Sequence, residues 1–243
     1  MRRSLGVLAL ALCLPVLSPG WGQDIEKAPS APRAAHFLHS TPIELAKSLP
    51  LPPEEGSLSA LADLEAVRQA QAWRGPEQLA WAKTVEAWEV FEFSRVLGPW
   101  FRASNLPEEA RLFRETFEDL RGVSLAVKRR FARPRPPRVD PSIRPCVGLP
   151  TSGSYHSGHS LYIFVEAGIL AEIFPDQREA LMNLAHRAAW GRIQGGVHFP
   201  TDVVGGRLLA EILVREMKES EAFRRALEAC RREAEPFRLK KAS

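Results

Sequence analysis

The sequence predicts an all-α fold, a compact helical bundle domain, on three observations. Apolar residues recur at spacings of three and four through most of the chain, no stretch alternates long enough to build a sheet, and helix-starting residues stand where periodic runs begin. The runs cover 58–73, 76–97, 107–130, 159–174, 176–190, 201–219 and 221–233. Ser57 precedes the first. The second carries Trp81, Trp88, Phe91 and Phe93 at mostly helical spacing, which reads as core. The third opens on Asn105 and Pro107 with Glu108 and Glu109 in its first turn, as the helix dipole favours. The fourth is strongly apolar, but Glu166 and Glu172 interrupt it before the length a bilayer demands, so it predicts a buried helix. Pro175 and Asp176 introduce the fifth, Pro200 suits the first turn of the sixth, and the seventh follows at once.

Ahead of these runs, Arg2 and Arg3, a Leu/Ala-rich stretch and Ser18-Pro19-Gly20 give residues 1–22 the order of a secretory signal. Removing them takes away two cations and no acid, so the formal charge falls from +4 to about +2, not the balance of a nucleic-acid binder. Residues 23–53 form a Pro/Ala-rich lead with little periodicity, expected to be a linker or a strap on the domain surface. Residues 54–237 form the domain and 238–243 a short basic tail. Cys146 and Cys230 outlast signal removal and could pair in an oxidising compartment, but two cysteines make no disulfide framework. No Cys/His cluster has zinc spacing. His36, His39 and His186 read as surface or packing residues.

Two stretches, 132–159 and 191–200, break the helical rhythm, and loops of that length in a helical domain are usually functional or disordered. Three pieces in or beside them could bind an anion. The first is the basic run from Lys128 through Arg135-Pro136, which taken alone is also what a solvated helix end looks like. The second is Gly153-Ser154-Tyr155-His156-Ser157-Gly158-His159-Ser160, directly before an apolar helix. There inward backbone N–H groups and a helix start can cradle an anion, although Gly/Ser stretches are equally often turns. The third is Arg192, His198 and Asp202. A carboxylate four residues after the histidine can take its Nδ1 proton and leave Nε2 as a nucleophile, although a capping aspartate beside an unrelated histidine has the same spacing.

Together, Lys128 with Arg135-Pro136, Ser157-Gly158-His159, and Arg192 with His198 and Asp202 resemble the three-part signature of type 2 phosphatidic acid phosphatases, bacterial class A non-specific acid phosphatases and vanadium-dependent haloperoxidases. Residues 153–160 look most like the class A acid phosphatases, with three departures. His156 stands for the usual proline, Ser160 for threonine and Gly191 for serine. The extra histidine leaves the pH profile open, and the glycine removes a hydroxyl contact.

The resemblance implies an exported, metal-independent phosphatase acting on small phosphate monoesters in the periplasm or outside a bacterial cell. His198 would be the nucleophile, His159 the general acid and base, and Asp202 the group that orients His198. Lys128, Arg135, Ser157, Gly158 and Arg192 would hold the phosphate. It implies no cofactor, with vanadate or phosphate as competitive occupants of the pocket. Nucleic acid and a lasting membrane anchor are not expected as partners, and a homo-oligomer is left open. The alternatives are a vanadium haloperoxidase, a lipid-phosphate or pyrophosphate phosphatase, and a catalytically silent phosphate-binding protein of the cell envelope.

Overall fold

The most apolar run of the sequence becomes the centre of the structure. In the computed structural model, which describes residues 34–241, helix α7 (Gly158–Ile173) buries every residue except Gly168 and Glu172. A helix apolar on all sides must be surrounded by others. It packs chiefly against α8 (Arg178–Gln194) and α9 (Pro200–Glu219), with α5 (Pro107–Phe131) and α10 (Glu221–Lys241) completing the ring. The outer helices α2 (Leu58–Ala72) and α3 (Pro76–Glu86) lie against α8. Two short turns of helix, α4 (Ser94–Leu97) and α6 (Pro136–Val139), finish the set together with α1 (Pro42–Lys47) and two 3₁₀ turns at Val90–Phe93 and Pro175–Gln177. No strand occurs among the described residues, and no helix there is long and apolar enough to cross a membrane.

Most predicted runs match a helix to within a few residues; the exceptions are informative. The run 76–97 breaks after Glu86 because Trp88 and Val90 are both buried, and at 100° per residue a continuous helix would hold them about 200° apart. Trp88 turns inward instead, its indole N–H donating to Glu166 Oε2 at 2.9 Å and its ring meeting Phe93 edge-on at 5.4 Å. Gly191 and Arg192, expected in a loop, complete the last turn of α8, which continues to Gln194. That glycine serves packing: a Cβ on it would meet Val85 at 3.0 Å and Trp81 at 3.4 Å. The last helix runs on to Lys241, eight residues past the expected stop at 233, with no break at 237.

The described part of the lead, 34–53, is a strap pinned at several points. A Thr41–Glu44 capping box starts α1, the backbone N–H groups of His36 and Phe37 donate to the Asp119 carboxylate, and those of His39 and Ser40 donate to Glu216. Phe37, Leu45 and Leu49 reach the main core. The expected signal region, 1–22, lies outside the described residues, as does the end of the expected basic tail. Cys146 and Cys230, whose pairing the sequence leaves open, are free thiols: Cys146 packs beside the small Ala82–Val147–Val197 cluster, whereas Cys230 is buried in the main core.

Candidate active site

Three chain segments converge at one end of α7. Helix α5 ends at Ala132, whose left-handed backbone (φ 45°) turns the chain sharply into the segment 133–135. The glycine-rich segment then runs beside it. Ser154 N–H donates to Arg133 O at 2.8 Å, Ser154 Oγ donates to Pro134 O at 3.1 Å, and Gly153 comes so near that a Cβ would sit 3.3 Å from the Ala132 Cα. Ser157 caps α7, accepting from the Ser160 N–H, and its own N–H donates to Asp202 O at 2.9 Å. The same junction needs Gly205 and Gly206 on α9: a Cβ on Gly206 would lie 2.7 Å from Ser157 O, and one on Gly205 2.8 Å from the Tyr155 ring. Tyr155 in turn donates its hydroxyl to Pro50 O at 2.8 Å, tying the strap to the loop.

The structure brings every predicted site residue into this junction and buries the three cations, Lys128, Arg135 and Arg192. Lys128 Nζ donates to Gly153 O and His156 O at 3.0 and 3.1 Å. Arg135 donates to Ser152 O and Val197 O, and its Nη1 lies 3.1 Å from His198 Nε2. A guanidinium can only donate, so Nε2 of His198 accepts and the ring proton resides on Nδ1, which faces Asp202 Oδ2 at 3.4 Å. That is the tautomer expected of a nucleophilic imidazole. His159, at the first turn of α7, has Nε2 3.2 Å from Glu86 O. A carbonyl only accepts, so here the proton is on Nε2. This carbonyl is open because α3 stops there, so the broken second run also positions His159.

Burial first, and then the surrounding cations, hold both imidazoles well below the usual histidine range: Arg135 heads the charges acting on His198, and Arg192 those acting on His159. Burial pushes the Asp202 carboxyl up, against the pull of the Arg133 guanidinium at 2.7 Å and the Phe199 N–H at 2.8 Å. His156, the departure that left the pH profile open, is fully buried, and burial together with Lys128 drives it down to about 3. It therefore stays neutral at neutral and mildly acid pH.

Sequence reasoning missed the group that anchors Asp202. Arg133 bridges Asp202 and Asp63, each at 2.7 Å, donates to Thr201 Oγ1 at 2.8 Å and lies over the Phe199 ring at 4.2 Å. Asp63, on α2, also accepts the Thr201 N–H at 3.1 Å at the start of α9. Arg133 was hidden among five other cations between 128 and 138, and Asp63 gave only a faint signal, an acid on the buried face beside Leu64 and Val67. The Gly205-Gly206 pair inside a periodic run was the more readable sign of close helix approach.

Residues 120–224 match the PAP2 superfamily, a span that contains all the site residues named above except Asp63 and Glu86. The chain carries a PAP2 superfamily domain. Along most of its length it is similar to two bacterial proteins. It is 25% identical to an acid phosphatase of Zymomonas mobilis, over 96% of this chain and 90% of the relative, and 25% identical to a non-specific acid phosphatase of Providencia stuartii, over 87% and 88%. The helical fold of the PAP2 domain recurs in two solved bacterial proteins at 16% identity, a vanadium-dependent iodoperoxidase (TM-score 0.56, 74% of this chain and 53% of that one) and a vanadium-dependent chloroperoxidase (TM-score 0.59, 80% and 54%). The chain spans about half the length of these two peroxidases, and the likeness is one of fold.

Proposed function

We propose that this chain is an exported acid phosphatase of the class A kind that hydrolyses phosphate monoesters through a phosphohistidine at His198, without a metal ion. The observation that carries the reading is the fixed tautomer of a buried, uncharged His198, whose Nε2 sits against Arg135 in a pocket shared with two further cations. Similarity to two acid phosphatases over nearly the whole chain supports it.

Lys128, Arg135 and Arg192 hold the phosphate oxygens, assisted by the Gly158 N–H at the start of α7 and by Ser157. Arg135 Nη1 exchanges the imidazole for a phosphate oxygen as substrate enters. The Nε2 lone pair of His198 then attacks phosphorus, and the bond to the ester oxygen breaks. Asp202 stabilises the charge that develops on the ring. The leaving oxygen takes a proton from His159 Nδ1, since Nε2 is committed to Glu86 O. Water next attacks phosphorus, gives its proton back to His159, and His198 leaves as neutral imidazole. Three cations perform the charge neutralisation that metal ions perform in other phosphoryl-transfer sites.

The depressed imidazoles bear on the working pH. A nucleophile that resists protonation stays active at acid pH, and the bound dianion raises His159, so that it is charged when the leaving group needs a proton. The result is a bell-shaped profile whose acid limb lies below the usual histidine value. Chromogenic phosphomonoester hydrolysis, assayed with chelator present and beside bromide oxidation with added vanadate, tests the proposal. It predicts chelator-resistant hydrolysis inhibited by vanadate, and loss of turnover in His198→Ala. Bromide oxidation without hydrolysis would overturn it.

A further inference from the structure

Cationic side chains continue outward beyond the phosphate pocket. A groove of about 410 Å³ runs along the basic segment, with Lys128, Arg129, Arg133, Arg135, Arg138 and Thr151 among its walls and no carboxylate. Lys128 and Arg135 belong to the phosphate pocket as well, so the groove adjoins the reaction centre, and Arg133 is already committed to Asp63 and Asp202. Arg129 and Arg138 differ from most other arginines at the surface. Arg111, Arg207 and Arg225 each pair with a glutamate on their own helix, whereas the exposed guanidiniums of Arg129 and Arg138 face the groove with no acid among its walls. Like charges gathered without an acid repel one another, and a second anion is what such a cluster is suited to receive. The volume suits one small group rather than a polymer, and the modest net charge of the chain argues against a long polyanion.

We infer that this groove, which shares Lys128 and Arg135 with the phosphate pocket, holds a second phosphoryl group of the substrate, so that bisphosphates are preferred over monophosphates of neutral alcohols. The inference rests on the phosphatase reading above, with the phosphate pocket taking the reacting group and Arg129 and Arg138 the distal one. Each guanidinium offers a planar fork to a dianion, which a lysine would not.

Calorimetric titration separates this claim from the catalytic one. Propane-1,3-bisphosphonate and propylphosphonate are titrated into the wild-type protein and into Arg129→Gln/Arg138→Gln, whose exposed side chains leave the core untouched. Loss of two charge-assisted contacts predicts a bisphosphonate Kd about tenfold weaker in the variant, with propylphosphonate changed by less than about twofold. Equal weakening of both ligands would reduce the groove to general electrostatic attraction and overturn the assignment, as would no weakening of either. Aryl phosphate turnover by the same samples reports on the catalytic reading alone: an inactive wild type that still shows the selective loss would leave the groove standing and remove the phosphatase.

Discussion

Two buried acids at different places in the bundle, Asp202 beside the site and Glu109 on α5, are both fully shielded from water and are treated in opposite ways. Asp202 accepts from Arg133 at 2.7 Å, from the Phe199 N–H at 2.8 Å and from Ser154 Oγ at 3.4 Å, and faces His198. Glu109 has no hydrogen-bond partner on either carboxylate oxygen, and its neighbour Glu233, which takes the Glu108 and Glu109 N–H groups, is another acid. Burial first and Glu233 second push Glu109 up to about 8. Burial pushes both carboxyls up, but only Asp202 has a cation and hydrogen-bond donors pulling against that rise. The protein supplies one where chemistry needs an anion and omits it where α5 needs only to pack.

That contrast can be broken most forcefully at Arg133. Arg133→Met leaves Asp63 and Asp202 buried without their shared cation, and the expected loss of stability is about 3–5 kcal/mol, read by urea denaturation, with kcat falling as His198 loses its orienting anion. An unchanged denaturation midpoint would mean that Asp202 does not depend on Arg133 for its charge. His159→Ala sharpens the site half of the comparison. Turnover of alkyl phosphates should fall by about 10²–10³, while activated aryl phosphates, whose leaving groups need no proton, should lose far less. Equal losses on both would argue against His159 as the proton donor. The smallest effect is expected at Glu109→Gln. A carboxyl raised in the folded state contributes stability that is present below its unfolded value and fades as pH climbs towards the folded value near 8. The variant should thus gain stability relative to the wild type at pH 8.5, seen as a higher Tm, and gain nothing at pH 4. A pH-independent Tm difference would mean that Glu109 does not titrate where burial places it.

How much of this was legible beforehand follows from the range of each interaction. The helices could be read because periodicity is local, and the burial of α7 followed from its apolar character on every side. His198 and Asp202 could be read because four residues at a helix start fix their relation. The break after Glu86 could not, since it is decided by Trp88 reaching Glu166 on a different helix. Asp63 and Arg133 lie 70 residues apart, and no local pattern links them. Gly191 looked like punctuation, but its small size is set by Trp81 and Val85, which only the fold brings near. His156 could be seen as an extra titratable group; its burial, which silences it, could not.

Whether His198 carries the phosphoryl group is decided by rapid alkaline quench of the protein during turnover of a labelled aryl phosphate, followed by peptide mapping. The account predicts an acid-labile, base-stable phosphoramidate on the peptide containing His198, absent from His198→Ala and accumulating in His159→Ala with an activated substrate. Label on any other residue, or a pre-steady-state burst of phenol release with no phosphohistidine, would contradict it.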